Sequence, residues 1–311
     1  MPAKGRWGYR KRSLVNLLRM GHCGPTVMKT LLEIGDADSE WAVKLAGGLP
    51  GGIGDTGFEC GGITSPLFAL GLRYGLEEKG ESLPQVFHKG LAHFHGFLDR
   101  NGSPFCRDIR GTPYRLRKCM KAVCLAPEIA SKAASEVGAV RDEAREAYAL
   151  LYSHLTGRHF HCARTVLEHL GPAIPRRPEF REGLSGFVGG TLFQGLTCGS
   201  LVAGVMALGS GLDRIENSFP RVMWMIVLMK TGGKPFADPI NAFNRIMNRG
   251  KDLADWFVGE FGATQCKAVT GCDFSSVPDV RRYIATDSMN GCAALSAKVA
   301  ERVRGMMSIP S

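Results

Sequence analysis

Apolar residues recur at helical spacing along most of the chain. Over 13–34 they fall at Leu14, Leu17 and Leu18, then at Val27, Leu31 and Ile34. Gly21 and the Gly24-Pro25 pair interrupt this run, which predicts two helices meeting at a turn, with Pro25 in the first turn of the second. Cys23 then sits near a helix N-terminus, where the macrodipole favours a thiolate. Another helix is predicted from about Ser65 to Tyr74, and one over 83–98 with Leu83, Val86, Phe87, Leu91 and Phe94 on one side. Residues 130–145 are rich in Ala, Glu and Arg, and read as a helical, exposed connector. Residues 222–228 have the length of a strand, but the neighbouring patterns are helical. The expected fold is therefore all-α: two tandem, related helical-bundle domains with glycine-rich loops.

The halves show themselves through cysteine. GHCGPTVMKTLLEIG surrounds Cys23 and HFHCARTVLEHLG surrounds Cys162. Cys60 follows Cys23 by 37 positions, and Cys198 follows Cys162 by 36. Cys106, Cys119 and Cys124 follow in the first half, and Cys266, Cys272 and Cys292 in the second. The step from Cys198 to Cys266 is longer than that from Cys60 to Cys106, so the second half carries an insertion, placed near 221–241. A period this long implies tandem domains rather than a solenoid. The boundaries expected are a basic arm over 1–12, a first domain over 13–130, a connector over 131–150, a second domain over 151–305 and a tail over 306–311.

With 311 residues, 44% of them hydrophobic, the chain can bury a sizeable core, which excludes the disordered and coiled-coil classes. The net charge of +10 favours anionic partners, although Lys4, Arg6, Arg10, Lys11 and Arg12 crowd the arm, which reads as a frayed terminus or a docking arm. No nucleic acid is expected as a partner. The basic start is not followed by the apolar stretch of a signal peptide, and ten cysteines then suit a reducing, cytoplasmic setting, as metal ligands, redox groups or buried side chains. The uncharged run 184–212 is full of Gly, Ser and Thr and reads as a buried core segment; no stable membrane span is expected.

Two stretches dense in glycine, 47–75 and 189–209, carry Cys60 and Cys198. Gly52, Gly54 and Gly57 spell a dinucleotide fingerprint, but no strand precedes them, and the P-loop ending is missing. There is no Cys-x₂-Cys pair of the zinc type. His22 and His161 precede the first cysteine of each half and are open to two roles, tuning or ligating a site, or satisfied core positions. Cys272 has no counterpart and reads as a small buried side chain.

Gly51-Gly52-Ile53-Gly54, Glu59-Cys60-Gly61-Gly62 and Ala69-Leu70-Gly71 in the first half resemble the C-GCAxxG-C-C family of redox-active proteins. Thr197-Cys198-Gly199-Ser200, Ala207-Leu208-Gly209, the segment ending at Cys266, and Cys292 repeat the resemblance. Ser65 and Ala203 stand where the family's core closes with glycine. What the resemblance implies is one four-cysteine site per domain holding an iron–sulfur cluster of open type. The implied ligands are Cys23, Cys60, Cys106 and Cys124, then Cys162, Cys198, Cys266 and Cys292, with Gly61 and Gly199 beside them. Cys119 competes with Cys124; Cys124 is favoured because the LAPEIASKA after it resembles the AALSAKVA after Cys292. The function implied is electron transfer with an unidentified redox partner, with a homo-oligomer and any enzymatic reaction left open. Two other readings stand beside it: a metal-free thiol–disulfide protein or sensor, and a helical module that binds an anionic partner and merely buries its cysteines.

Overall fold

A computed structural model describes residues 6–35, 39–75, 84–135, 142–213, 215, 217–238 and 241–308. The first half runs α1 (Arg6–Met20), α2 (Cys23–Ile34), α3 (Glu40–Leu45), α4 (Gly61–Tyr74), α5 (Gln85–Asn101), α6 (Cys106–Arg110) and α7 (Leu116–Ser135). The second runs α8 (Asp142–Gly157), α9 (Cys162–Leu170), α10 (Pro178–Gly183), α11 (Gly199–Gly209), α12 (Phe219–Thr231), α13 (Ala242–Phe261), α14 (Cys266–Thr270), α15 (Val277–Ala285) and α16 (Ser288–Met307). Seven helices pair across the repeat in chain order, α1 to α7 with α8, α9, α10, α11, α13, α14 and α16. Helices α12 and α15 have no counterpart among the described residues. The first of these is the expected insertion, and the 222–228 stretch within it is helical.

Several boundaries differ from the sequence expectation. Of the connector expected over 131–150, residues 131–135 end α7, residues 136–141 lie outside the described residues, and the rest opens α8, which is not wholly exposed: Ala147 and Tyr148 are buried, and the helix packs on α15. Residues 6–12 of the basic arm are the first turns of α1, with Tyr9 buried; residues 1–5 lie outside the described residues. Leu83 also lies outside them, and the helix expected there runs from Gln85. Helix α4 starts four residues before Ser65, because Cys60 caps it and the two glycines that follow adopt helical geometry.

The two halves share one continuous apolar core. Phe87 of the first half meets Phe193 of the second with ring centroids 4.8 Å apart. Helix α4 packs on α10 and the Leu184–Gly186 turn, while α11 packs on α3 and the Ala46–Gly48 turn, so the contacts are exchanged between halves as in a two-fold pair. A Cβ on Gly71 would lie 2.4 Å from the Gly183 carbonyl oxygen, and one on Gly209 would lie 2.3 Å from that of Lys44. Gly71 and Gly209 are equivalent positions, so the same close approach is used twice.

Each half builds its glycine-rich loop as a left-handed turn. Five consecutive residues have positive φ in both: Gly51 to Asp55 (56–85°) and Gly189 to Phe193 (54–68°). Ile53, Asp55, Thr191, Leu192 and Phe193 bear side chains in this region, at a cost of about 1 kcal/mol each. Long-looped backbone hydrogen bonds hold the turns: Gly54 to Gly48 and Gly57 to Gly51, mirrored by Leu192 to Gly186 and Gly195 to Gly189.

One carboxylate joins the two turns. Glu59 is fully buried and accepts hydrogen bonds from the Thr191 hydroxyl (3.1 Å), the Thr197 N–H (2.9 Å) and the Thr197 hydroxyl (2.5 Å). Burial raises its pKa above the ordinary carboxylate value, and the threonine hydrogen bonds oppose that only in part. A raised folded-state pKa gives stability that is full below the unfolded value and is lost as pH rises through the folded one. Glu59→Gln keeps the shape without the charge. Its melting temperature is therefore expected to match the wild type in acid and to gain on it steadily towards neutral pH. A difference that stays constant with pH would show that Glu59 does not titrate with folding.

Candidate functional site

The cysteines reach their positions by the same backbone device in each half. A single antiparallel bridge pairs Glu59 with Phe105, and another pairs Thr197 with Gln265. The bonds match one for one. Cys60 N–H donates to the Pro104 carbonyl (2.9 Å) and Cys106 N–H to that of Phe58 (2.6 Å), while Cys198 donates to Thr264 (2.8 Å) and Cys266 to Leu196 (2.6 Å). The residue after each bridge is thus a cysteine, and each of these cysteines opens a helix: α4, α6, α11 or α14. Cys23 and Cys162 open α2 and α9.

The first cysteine then packs on the glycine beside the second. A Cβ on Gly61 would lie 2.8 Å from Cys23 Sγ, and one on Gly199 would lie 2.7 Å from Cys162 Sγ. This is the role the structure gives to Gly61 and Gly199. Each position must be without a side chain for the sulfur to seat. The left-handed turns complete the setting, with backbone N–H groups of Gly51 and Gly61 directed at Cys23 and that of Gly189 at Cys162. Gly62 N–H donates to Cys60 Sγ at 3.4 Å.

Cys60 lies within charge–charge reach of Cys23, Cys106 and Cys119, and Cys266 within reach of Cys198, Cys162 and Cys292. The second group lines a cavity of about 30 Å³ together with Tyr283 and Phe274. In the first half, Cys23, Cys106 and Cys119 line a cavity of about 70 Å³ that is roofed by Val222, Met225 and Met229 of α12. The insertion of the second half therefore covers the sulfur site of the first. Among the described residues, no group of three or more His, Cys, Asp or Glu side chains is arranged to hold a metal ion; the sulfurs line cavity walls instead.

The structure sets Cys119, not Cys124, beside the other first-half cysteines. The two are five residues apart on α7, which puts them about 140° apart around the helix. Only one can face Cys23. Cys124 faces the α1 side, where Arg10 is its charged neighbour. The sequence similarity after Cys124 misled because it matched helix composition, not helix phase: Cys119 and Cys292 each lie in the first turns of equivalent helices, α7 and α16.

Electrostatics also depart from the thiolate expected at Cys23. Burial raises its pKa, and the amides of Gly51, Gly24 and Gly61 only partly offset this. Cys119 is pushed up to about 12, by burial first and then by Cys23. Cys60, Cys106 and Cys266 are raised well above the ordinary thiol value by burial and by neighbouring sulfurs. Without a bound cation these side chains are neutral thiols at pH 7.

The surroundings of the two sites differ. Arg110 stands near Cys106, bound to Asp55 and to the Tyr114 hydroxyl (3.2 Å). The second half has Thr270 at the matching position, bonded back to the Cys266 carbonyl. There Tyr283 donates its O–H to Cys292 Sγ at 3.4 Å. His22 and His161 are satisfied core groups: His22 spans the Met20 carbonyl and the Asn244 side chain, and His161 meets the Ser185 carbonyl and the Arg164 N–H. Cys272 is buried next to Cys266. His93 has a part that the sequence reading did not give it. It shares the buried face of α5 with Val86, Gly90 and Phe97, and its Nε2 bonds to the Gly62 carbonyl at 2.9 Å, bracing the turn at Cys60. Its burial holds its pKa at about 4, so it is neutral at pH 7. The four-then-three spacing of these positions was the signal available in the sequence.

One family model, described as "Putative redox-active protein (C_GCAxxG_C_C)", matches residues 21–133 and again 160–306. No curated protein and no solved structure matches the chain.

Proposed function

Because the chain belongs to the C-GCAxxG-C-C family of redox-active proteins, in two tandem copies, we propose that each half holds an iron–sulfur cluster and exchanges electrons with a partner protein. The residues that would hold the clusters are Cys23, Cys60, Cys106 and Cys119 in one half, and Cys162, Cys198, Cys266 and Cys292 in the other. The observation that carries this reading is the twice-built gathering of sulfurs from four separate helices, with Cys162, Cys198, Cys266 and Cys292 lining one cavity in the second half, and Cys23, Cys106 and Cys119 lining another in the first with Cys60 within charge–charge reach of all three. Four-cysteine ligation is the usual mode for such clusters.

The fit rests on charge as well as placement. Burial and mutual repulsion hold the thiols neutral, so a quartet of thiolates requires a cationic group among them. A single zinc ion would draw four sulfurs to about 2.3 Å from one point. In a cluster the thiolates are bound to different irons, so the four sulfurs need not meet at one point. When bound, such a cluster supplies one-electron transfer without a change of protein fold. The chain's part is to exclude water, to aim the N–H groups of Gly51, Gly62 and Gly189 at sulfur, and to set the sulfurs' hydrogen bonds. Metal-free thiol exchange is less well served, since its attacking group is the thiolate and burial suppresses it.

Anaerobically purified protein is expected to show the broad visible absorption of cluster-bound sulfur, which bleaches on reduction. A colourless protein after reconstitution with iron and sulfide would sink the proposal. Tyr283→Phe supplies a finer test. Loss of the O–H that meets Cys292 is expected to lower the reduction potential of the second site and leave the first unchanged. Equal movement of both potentials in redox titration, or of neither, would remove Tyr283 from that role.

A further inference from the structure

Seven large apolar side chains are exposed among the described residues, and all but Val258 lie on two helices that touch. Phe219, Met223, Trp224 and Val227 of α12 are 58%, 38%, 58% and 42% exposed, and Leu14 and Val15 of α1 are 40% and 43% exposed. The spacing on α12 is that of one helix face, opposite the Val222, Met225 and Met229 side that roofs the first cysteine cavity. Helix α12 is thus apolar on both sides, and only one of them is covered by protein.

Cations rim this face. Lys11 precedes Leu14 by three positions, and Arg19 follows Val15 by four, so both share the outward side of α1. The Arg19 carbonyl accepts from the Asn217 N–H, which places it at the start of α12. Lys230 lies in the last turn of that helix. Lys11, Arg19 and Lys230 are exposed, and each pairs with no carboxylate among the described residues. A second copy docking by two-fold symmetry would press like charges together. The occupant must instead be anionic at its rim and apolar within. Phe and Trp outward on a single convex helix, with Lys and Arg beside them, is the pattern of a helix lying in a bilayer interface. Thirteen residues give α12 a length of about 20 Å, short of the roughly 30 Å hydrocarbon core, so it lies in the surface and does not cross it.

We propose that the α1–α12 face docks on an anionic lipid bilayer, seating Phe219 and Trp224 at the headgroup boundary. Docking holds the first cysteine cavity about one helix diameter, roughly 10 Å, from the membrane. The proposal rests on the surface alone and stands whether or not the cysteines bind a cluster.

Flotation of the full chain with vesicles tests it. Vesicles of phosphatidylglycerol mixed with phosphatidylcholine are expected to carry the protein at low salt, and phosphatidylcholine alone far less. Phe219→Ser combined with Trp224→Ser, and separately Lys11→Glu combined with Arg19→Glu, are each expected to weaken retention about tenfold or more. All four side chains are exposed, so circular dichroism should show both variants folded. Failure to float with either vesicle, or flotation that neither variant alters, overturns the proposal. So does capture by polyglutamate through these residues with no retention on vesicles, because the occupant is then an acidic chain.

Discussion

Cys119→Ser is expected to lose about half of the reconstituted iron and sulfide, that of the first site, whereas Cys124→Ser keeps all of it. The difference follows from helix phase. Cys119 stands beside Cys23, Cys60 and Cys106 and is raised in pKa by burial first and then by Cys23, while Cys124 meets Arg10 on another side of α7. Both variants change one sulfur to one oxygen on the same helix, so general damage to α7 affects them alike. Iron loss on Cys124→Ser with full retention on Cys119→Ser would reverse the ligand assignment.

Gly199→Ala is expected to be among the most damaging single methyl additions in the chain. Its Cβ would lie 2.0 Å from the Phe187 carbonyl oxygen and 2.7 Å from Cys162 Sγ. Backbone cannot yield as a flexible side chain can, and overpacking of this kind costs about 1–3 kcal/mol. A fall of several degrees in melting temperature should accompany loss of the second site. Gly61→Ala meets Cys23 Sγ at 2.8 Å and the Gly24 nitrogen at 2.9 Å, so the first site suffers in the same way. Gly259→Ala is the control: nothing lies within 4 Å of its added Cβ, on a helix where alanine stabilises by up to about 1 kcal/mol. Thermal melts in which Gly199→Ala matches Gly259→Ala would contradict the seating of Cys162 on Gly199.

The duplication was legible because its markers are local. His-Cys at the start of a helix and Cys-Gly at the start of another survive in both halves as short strings, and these strings lie at the site. Phase was harder to read. Choosing between Cys119 and Cys124 required the direction of α7 relative to Cys23, which neighbouring composition does not encode. The first turns of α8 fell within the expected connector because Ala, Glu and Arg suit any exposed helix, yet Ala147 and Tyr148 are buried. The left-handed turns were visible only where glycine forms them; Thr191, Leu192 and Phe193 adopt the same backbone without a compositional sign. The contacts between halves were out of reach altogether. Glu59 finds Thr197 across 138 positions, and α12 travels from the second half to roof the cavity of the first.

Iron and acid-labile sulfide counted per chain, in wild type and in Cys60→Ser and Cys198→Ser, test the two-site account most directly. Each variant is expected to drop to about half of the wild-type content, and the double variant to bind none. Full content in both single variants, or complete loss in either one, would show that the sulfurs do not act as two separate quartets.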